Sequence, residues 1–216
     1  MTTTESLFRV AVICGSTRSV RVGPQVTTFI HSTISNHLAS PAKAGGEGTT
    51  HAKPAISLEI VDIAAFNLPL FDEVIIPQAV KDPSGYAHEH TRVWSAKIAS
   101  YQAFVFVTPQ YNWGIPASLK NAIDYLYNEW TAKPAMIVSY GGHGGGHAAG
   151  ALKTVCQGLR MKVVENPVCL TFPDRQFRDS CLIGGDLALG EAGSAIWDKE
   201  KEDVVAGWDE MVRLLG

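Results

Sequence analysis

Short apolar runs alternate with helical patterns along most of this 216-residue chain, and that alternation restricts the fold more than any other feature. Strands separated by helices cannot pair as hairpins. They form a parallel sheet with crossover helices on both faces. Strands are expected at residues 8–14, 57–63, 103–107, 134–140 and 162–165, the last resuming at 168–171. Helices are expected at about 23–38, 86–100, 116–128, 146–160 and 196–215. The stretch Phe104-Val105-Phe106-Val107 is apolar at every position, which marks a strand buried on both faces. Val93, Trp94, Ile98 and Tyr101 fall near helical spacing, as do Val204, Val205, Trp208, Met211, Val212 and Leu215. The reading is one doubly wound α/β domain over residues 1–216, with five parallel strands and about five helices. Residues 39–55, rich in Ala, Gly, Pro and Thr without apolar periodicity, are expected to be a mobile surface insertion.

Composition narrows the function classes. The formal charge is −3 and no Lys/Arg cluster occurs, which argues against a nucleic-acid surface. No apolar run approaches the ~20 residues of a membrane span. The opening Met-Thr-Thr-Thr-Glu-Ser has no basic segment followed by an apolar one, so a cytoplasmic protein is expected. Cys14, Cys156, Cys169 and Cys181 lack C-x-x-C spacing and are expected to be buried free thiols.

In a parallel sheet the loops after strands one, three and four leave by the same edge, where such sheets bind ligands. The loop after strand three, Thr108-Pro109-Gln110-Tyr111-Asn112-Trp113-Gly114, is polar and aromatic, and leads into a helix with Pro116 in its first turn. Tyr111 and Trp113 can cover a flat ring, while Asn112 and free amides can bond its edge. The loop after strand one carries Ser16, Thr17, Arg18, Ser19 and Arg21 before a helix. Hydroxyls, guanidinium forks and a helix amino terminus suit a phosphate; a capped helix with two solvated arginines would read the same way. It is not a Walker A loop.

The loop after strand four, Ser139-Tyr140-Gly141-Gly142-His143-Gly144-Gly145-Gly146-His147, admits several readings. Gly144, Gly146 and Ala149 match G-x-G-x-x-A, but that fingerprint belongs after the first strand. His143-Gly-Gly-Gly matches an esterase oxyanion motif, yet no G-x-S-x-G elbow follows. His143 and His147 have metal-compatible spacing without a third ligand, so no metal is expected. What remains is a glycine backbone that can approach a flat ligand closely. A phosphate pocket beside strand one and a planar pocket between strands three and four suit a phosphorylated flavin.

At these residues the chain resembles the NADPH-dependent FMN reductases. The resemblance rests on Gly15-Ser16-Thr17-Arg18, Leu68-Pro69-Leu70-Phe71, Thr108-Pro109-Gln110-Tyr111-Asn112 running to Leu119-Lys120-Asn121-Ala122-Ile123-Asp124, and Tyr140-Gly141-Gly142. It covers roughly residues 10–164 and implies a flavodoxin-like fold, strand order 2-1-3-4-5. It also implies FMN as cofactor and NADPH or NADH as hydride donor. Ser16, Arg18 and Arg21 would bind the phosphate. Pro109, Gln110, Tyr111, Asn112 and Trp113 would contact the ring, with Ser139, Tyr140, Gly141 and Gly142 on its other side or edge. Gln110 stands where many relatives have Glu. The family further implies a homodimer or homotetramer; helix 116–128, with Ile123, Leu126, Tyr127 and Trp130, is either a contact surface or plain core. The expected activity is hydride transfer from NAD(P)H to bound FMN and on to a quinone-like acceptor, in a ping-pong cycle. The alternatives are a non-enzymatic carrier of the flavodoxin type or a redox-sensing flavin-binding partner, and a nucleotide-binding or hydrolase-like protein without flavin.

Overall fold

The computed structural model describes residues 7–40 and 55–215; most of the insertion read at 39–55 therefore lies outside the described residues. Strands β1 (Phe8–Cys14), β2 (Ile56–Asp62), β3 (Ala103–Pro109) and β4 (Pro134–Gly141) run parallel in the order β2-β1-β3-β4. Two short strands then share the far side of β4. β5 (Lys162–Val163) pairs with Pro134 and Ala135, and β6 (Val168–Thr171) pairs with Val138 to Gly141. They are halves of one fifth strand, broken around Pro167, which has no N–H for a ladder. The order is thus 2-1-3-4-5, the flavodoxin-like arrangement.

The pleat divides β3 between two cores. Val105 and Val107 face helices α1 (Gly23–Ala39) and α6 (Glu200–Arg213), meeting Val26, Ile30, Val204 and Trp208. Phe104 and Phe106 face α2 (Glu89–Ala99), α3 (Ala117–Asp124) and α4 (Gly146–Gly158), meeting Trp94, Ile123, Trp130 and Leu152. Gly207 lets α6 lie close to the sheet, since a Cβ there would sit 3.0 Å from the Met136 methyl.

Several expectations change. The helix expected at 116–128 is α3, which stops at Asp124. Ile123, Leu126 and Trp130 are almost fully buried, and the Trp130 indole donates to the Ile123 carbonyl at 3.2 Å. Those three side chains are core, while Tyr127 is half-buried. α2 begins at Glu89 rather than 86, because Pro83–Gly85 forms a separate 3₁₀ turn and Tyr86 is anchored by its hydroxyl to Glu129. Val93 is exposed, and so is Cys169, unlike the other three thiols.

The irregular stretch after residue 171 contains a helix that periodicity missed, α5 (Arg175–Ile183). Only Phe177 and Cys181 are buried on it, too few for an apolar stripe. Its signals are at the ends: the Asp174 carboxylate accepts the Phe177 N–H at 2.7 Å, and Gly184 stops it at φ 68°.

Candidate active site

The pairing of Cys14 with Asp62 and Val107, and of Thr108 with Ser139, brings the carboxyl ends of β1, β3 and β4 level. Their loops meet at one edge, on both sides of the point where strand order reverses.

Loop one leaves β1 through Gly15, whose N–H donates to the Val107 carbonyl at 2.9 Å. Thr17 to Val20 are exposed, and among the described residues their N–H groups donate to no protein acceptor. A run of unpaired amides beside a guanidinium can hold an anion. Arg18 supplies the guanidinium, lying 4.9 Å above the Tyr111 ring. Arg21 is held differently. It meets Asp62 at 2.9 and 2.6 Å, donates to the Ser16 carbonyl and touches Cys14 Sγ. The Asp62 hydrogen bond raises its pKa further. Ser16 is fully buried under Gly23, so Ser16 and Arg21 shape the loop from beneath while Arg18 faces out.

Loop three is a two-residue hairpin. Tyr111 and Gly114 exchange both N–H···O bonds at 2.9 Å, and Asn112 and Trp113 have φ of 46° and 66°. Positive φ at both central positions is the type I′ requirement, and for a tryptophan it costs on the order of 1–3 kcal/mol. The strain raises Trp113, 64% exposed, above the surface. Its ring stacks on His143 (6.0 Å, 9° between planes) and meets His147 edge-on at 4.8 Å. The two histidines of loop four thus form an aromatic wall with loop three. No group of metal-ligating side chains occurs among the described residues.

Loop four is shaped by buried contacts. Gly144 and Gly145 take φ of 73° and 79°, and a Cβ on Gly145 would lie 2.9 Å from the Ser139 side chain. Ser139, fully buried, donates to the Gly144 carbonyl at 2.8 Å, which turns its hydroxyl inward. Gln110 reaches across from β3: its Oε1 accepts the N–H groups of His147 and Ala148 at 3.1 and 3.3 Å. It caps α4, whose own cap position is the glycine Gly145. A glutamate would accept the same bonds.

These loops enclose a cavity of about 180 Å³ lined by Arg18, Arg21, Val22, Pro109, Gln110, Tyr111, Tyr140, Gly141 and Gly142, and on its far wall by Phe172, Arg178, Cys181 and Leu182. It is smaller than the roughly 300–1,000 Å³ of a closed ligand pocket. That suits a ligand keeping one face in solvent. A larger hollow of about 440 Å³ lies along the outside of α1, among polar and apolar residues away from the strand ends. Burial raises the pKa of Tyr111 and Tyr140 and pushes the Cys181 thiol up to about 11, against the opposing charge of Arg18. Both phenols and that thiol therefore stay neutral at physiological pH.

Of the twelve residues anticipated, Arg18, Arg21, Pro109, Gln110, Tyr111, Tyr140, Gly141 and Gly142 line this cavity. Asn112 and Trp113 form the raised hairpin, and Ser16 and Ser139 lie buried behind it. The wall from α5 was not anticipated, because nothing in the sequence links residues 178–182 to loops far earlier in the chain. Asn121 ties the loop after β2 to α3, donating to the Pro69 carbonyl at 2.7 Å and accepting the Phe71 N–H at 2.9 Å.

The chain is similar to several known proteins. A relative from Nectria sp, an NAD(P)H-dependent FMN reductase, is 38% identical over 97% of this chain and 98% of its own length. A quinone reductase from Pseudomonas putida is 30% identical over 75% of this chain and 83% of its own. An oxidoreductase from Corynebacterium diphtheriae superposes over 97% of both chains with a TM-score of 0.61, at 14% identity, and so shares the fold. Residues 8–172 match the family of NADPH-dependent FMN reductases. The chain, an oxidoreductase, belongs to that family.

Proposed function

We propose that this FMN-dependent NAD(P)H oxidoreductase passes reducing equivalents from the dinucleotide to a quinone-like acceptor at one open site, in a ping-pong cycle. The observation that carries the reading is the cavity at the strand-order reversal, with unpaired loop-one amides and Arg18 on one side and glycine backbone on the other. The residues present fit FMN. Arg18 and the amides of Thr17 to Val20 would hold the phosphate. Pro109, Tyr111, Asn112 and Trp113 would flank the ring, and Tyr140, Gly141 and Gly142 would border it. Ser16, Arg21, Gln110 and Ser139 keep these groups in place.

FMN, when bound, supplies the hydride chemistry, so the chain needs no acid–base pair of its own. Its residues orient, donate from backbone N–H groups to developing negative charge, and leave a shallow flat opening that admits planar electrophiles. Trp113, His143 and His147 offer that opening an aromatic rim. Quinones are the acceptor class that the opening favours, in keeping with the Pseudomonas relative.

A homodimer or homotetramer is part of this reading. Leu70, Val74 and Ile76 stand 85%, 86% and 72% exposed on the segment after β2, and offer the apolar surface that subunit contact needs. So is a cytoplasmic location; no helix among the described residues is long and apolar enough to cross a membrane.

The test is the visible spectrum of the purified protein before and after anaerobic NADPH. Flavin bands that bleach, and return when a quinone is added, are expected. A colourless protein that takes up no added FMN would sink the reading, and bands that persist with NADPH would leave a carrier.

A further inference from the structure

The far wall of the cavity is α5, which lies beyond the residues matching the family. It is fixed at both ends. Asp174 caps its start, and Phe177 packs edge-on against Trp197 (5.4 Å). Gly184 abuts Val20 and Arg21, and Gln25 clamps the next residues, donating to the Gly185 carbonyl and accepting the Leu187 N–H, each at 2.9 Å. On a helix so held, Arg178, Cys181 and Leu182 share one face by their i, i+3, i+4 spacing, and all three line the cavity.

Three guanidinium groups border this cavity, and two already have roles. Arg21 is paired with Asp62, and Arg18 lies over Tyr111 beside the loop-one amides. Arg178 is half exposed; its carboxylate partner among the described residues is its exposed neighbour Asp179, at 3.1 Å, a pair that water screens. Arg175, one turn earlier, has an 85% exposed side chain. A nicotinamide that reaches the flavin must sit over the ring pocket, so its adenosine end leaves across one of the walls. The wall of Trp113, His143 and His147 is aromatic. The wall from α5 carries the guanidinium groups.

Resting on the function proposed above, we infer that Arg178 binds the 2′-phosphate of NADPH and sets the preference for it over NADH. A phosphate monoester carries nearly two negative charges and matches the guanidinium fork, whereas the 2′-hydroxyl of NADH offers neither. A charge-assisted contact of this kind corresponds to about ten- to hundredfold in affinity.

Calorimetry with 2′,5′-ADP and 5′-AMP tests this on the FMN-loaded protein without turnover, beside kcat/KM for NADPH and NADH with menadione. The wild type should bind 2′,5′-ADP at least about tenfold more tightly than 5′-AMP. Arg178→Ala should erase that ratio and lower kcat/KM for NADPH by a much larger factor than for NADH. Arg178→Lys should restore part of it. Equal wild-type binding of the two nucleotides, or no binding of either, would overturn the assignment. So would an Arg178→Ala protein that loses both donors equally or loses its flavin. A colourless wild type would instead remove the flavin reading itself.

Discussion

Arg21 and Asp62 meet through two nitrogen–oxygen contacts, at 2.9 and 2.6 Å, and this pair ties loop one to the end of β2. Asp62 also accepts the Ala64 N–H at 3.1 Å. Arg21 is thereby a structural brace, and Arg18 is the arginine of loop one that faces outward. Both side chains of the pair are mostly buried. Asp62→Asn should therefore cost roughly 1–3 kcal/mol, between a surface pair and a fully buried one, in urea unfolding. Arg18→Ala should leave that stability within about 0.5 kcal/mol and instead weaken FMN by ~1.5–3 kcal/mol in a fluorescence titration. The reverse pattern would exchange the two roles.

Gly23 begins α1 directly over loop one. A Cβ there would fall 2.0 Å from Ser16 Oγ and 3.1 Å from both Cys14 Sγ and the Tyr140 hydroxyl. Gly23→Ala should destabilise the fold by about 1–3 kcal/mol, as overpacking does. Because the shortest clash is with one hydroxyl, adding Ser16→Ala should recover part of the loss. Strict additivity of the two changes in thermal melts would refute this coupling.

Gln110 caps a helix that follows a different strand. Gln110→Leu should cost about 0.5–2 kcal/mol, the range for a lost cap, and loosen the Gly-rich loop. Gln110→Glu should keep or raise the stability, since a carboxylate at a helix amino terminus is favoured. Hydrogen exchange at the amides of His147 and Ala148 reads both effects locally: faster in the leucine variant, no faster in the glutamate one.

Two groups should shape the pH dependence of unfolding, with opposite signs. The hydrogen bond from Lys97 holds the Glu59 carboxyl at about 2, against 4.5 in an unfolded chain. Its contribution is fully present above 4.5 and is lost as the pH falls through 2. Burial lowers Lys133 to about 8 from 10.5 while it donates to the Ile98 and Ala99 carbonyls at the end of α2. There the unfolded chain binds the extra proton, so stability should rise with pH between 8 and 10.5. Glu59→Gln should flatten the acid limb and Lys133→Met the alkaline one, in urea titrations across pH; unchanged limbs would remove the assignments.

Interactions close in sequence were the easiest to read. The all-apolar run at Phe104 to Val107 marked the central strand, and the Gly15-Ser16-Thr17-Arg18 and Thr108-Pro109-Gln110-Tyr111-Asn112 segments marked the edge where ligand loops gather. The short α5 escaped because two buried residues cannot establish a period, although Asp174 and Gly184 flank it with proper caps. The extent of α3 was overestimated because Leu126 and Trp130 continue the apolar pattern while the backbone has already turned.

The sequence by itself determined the strand–helix alternation, the parallel sheet and the loops that would carry chemistry, because strand and helix periods and turn residues act over a few neighbouring positions. Tertiary structure alone decided which polar groups in those loops remain available. Arg21 is taken by Asp62, 41 residues away, Gln110 by α4 and Ser139 by Gly144, while Arg178 arrives at the cavity from the far end of the chain. A charge or hydrogen-bonding group serves whichever partner the packed fold brings within about 3 Å, and that partner is fixed by the arrangement of whole elements rather than by the order of residues.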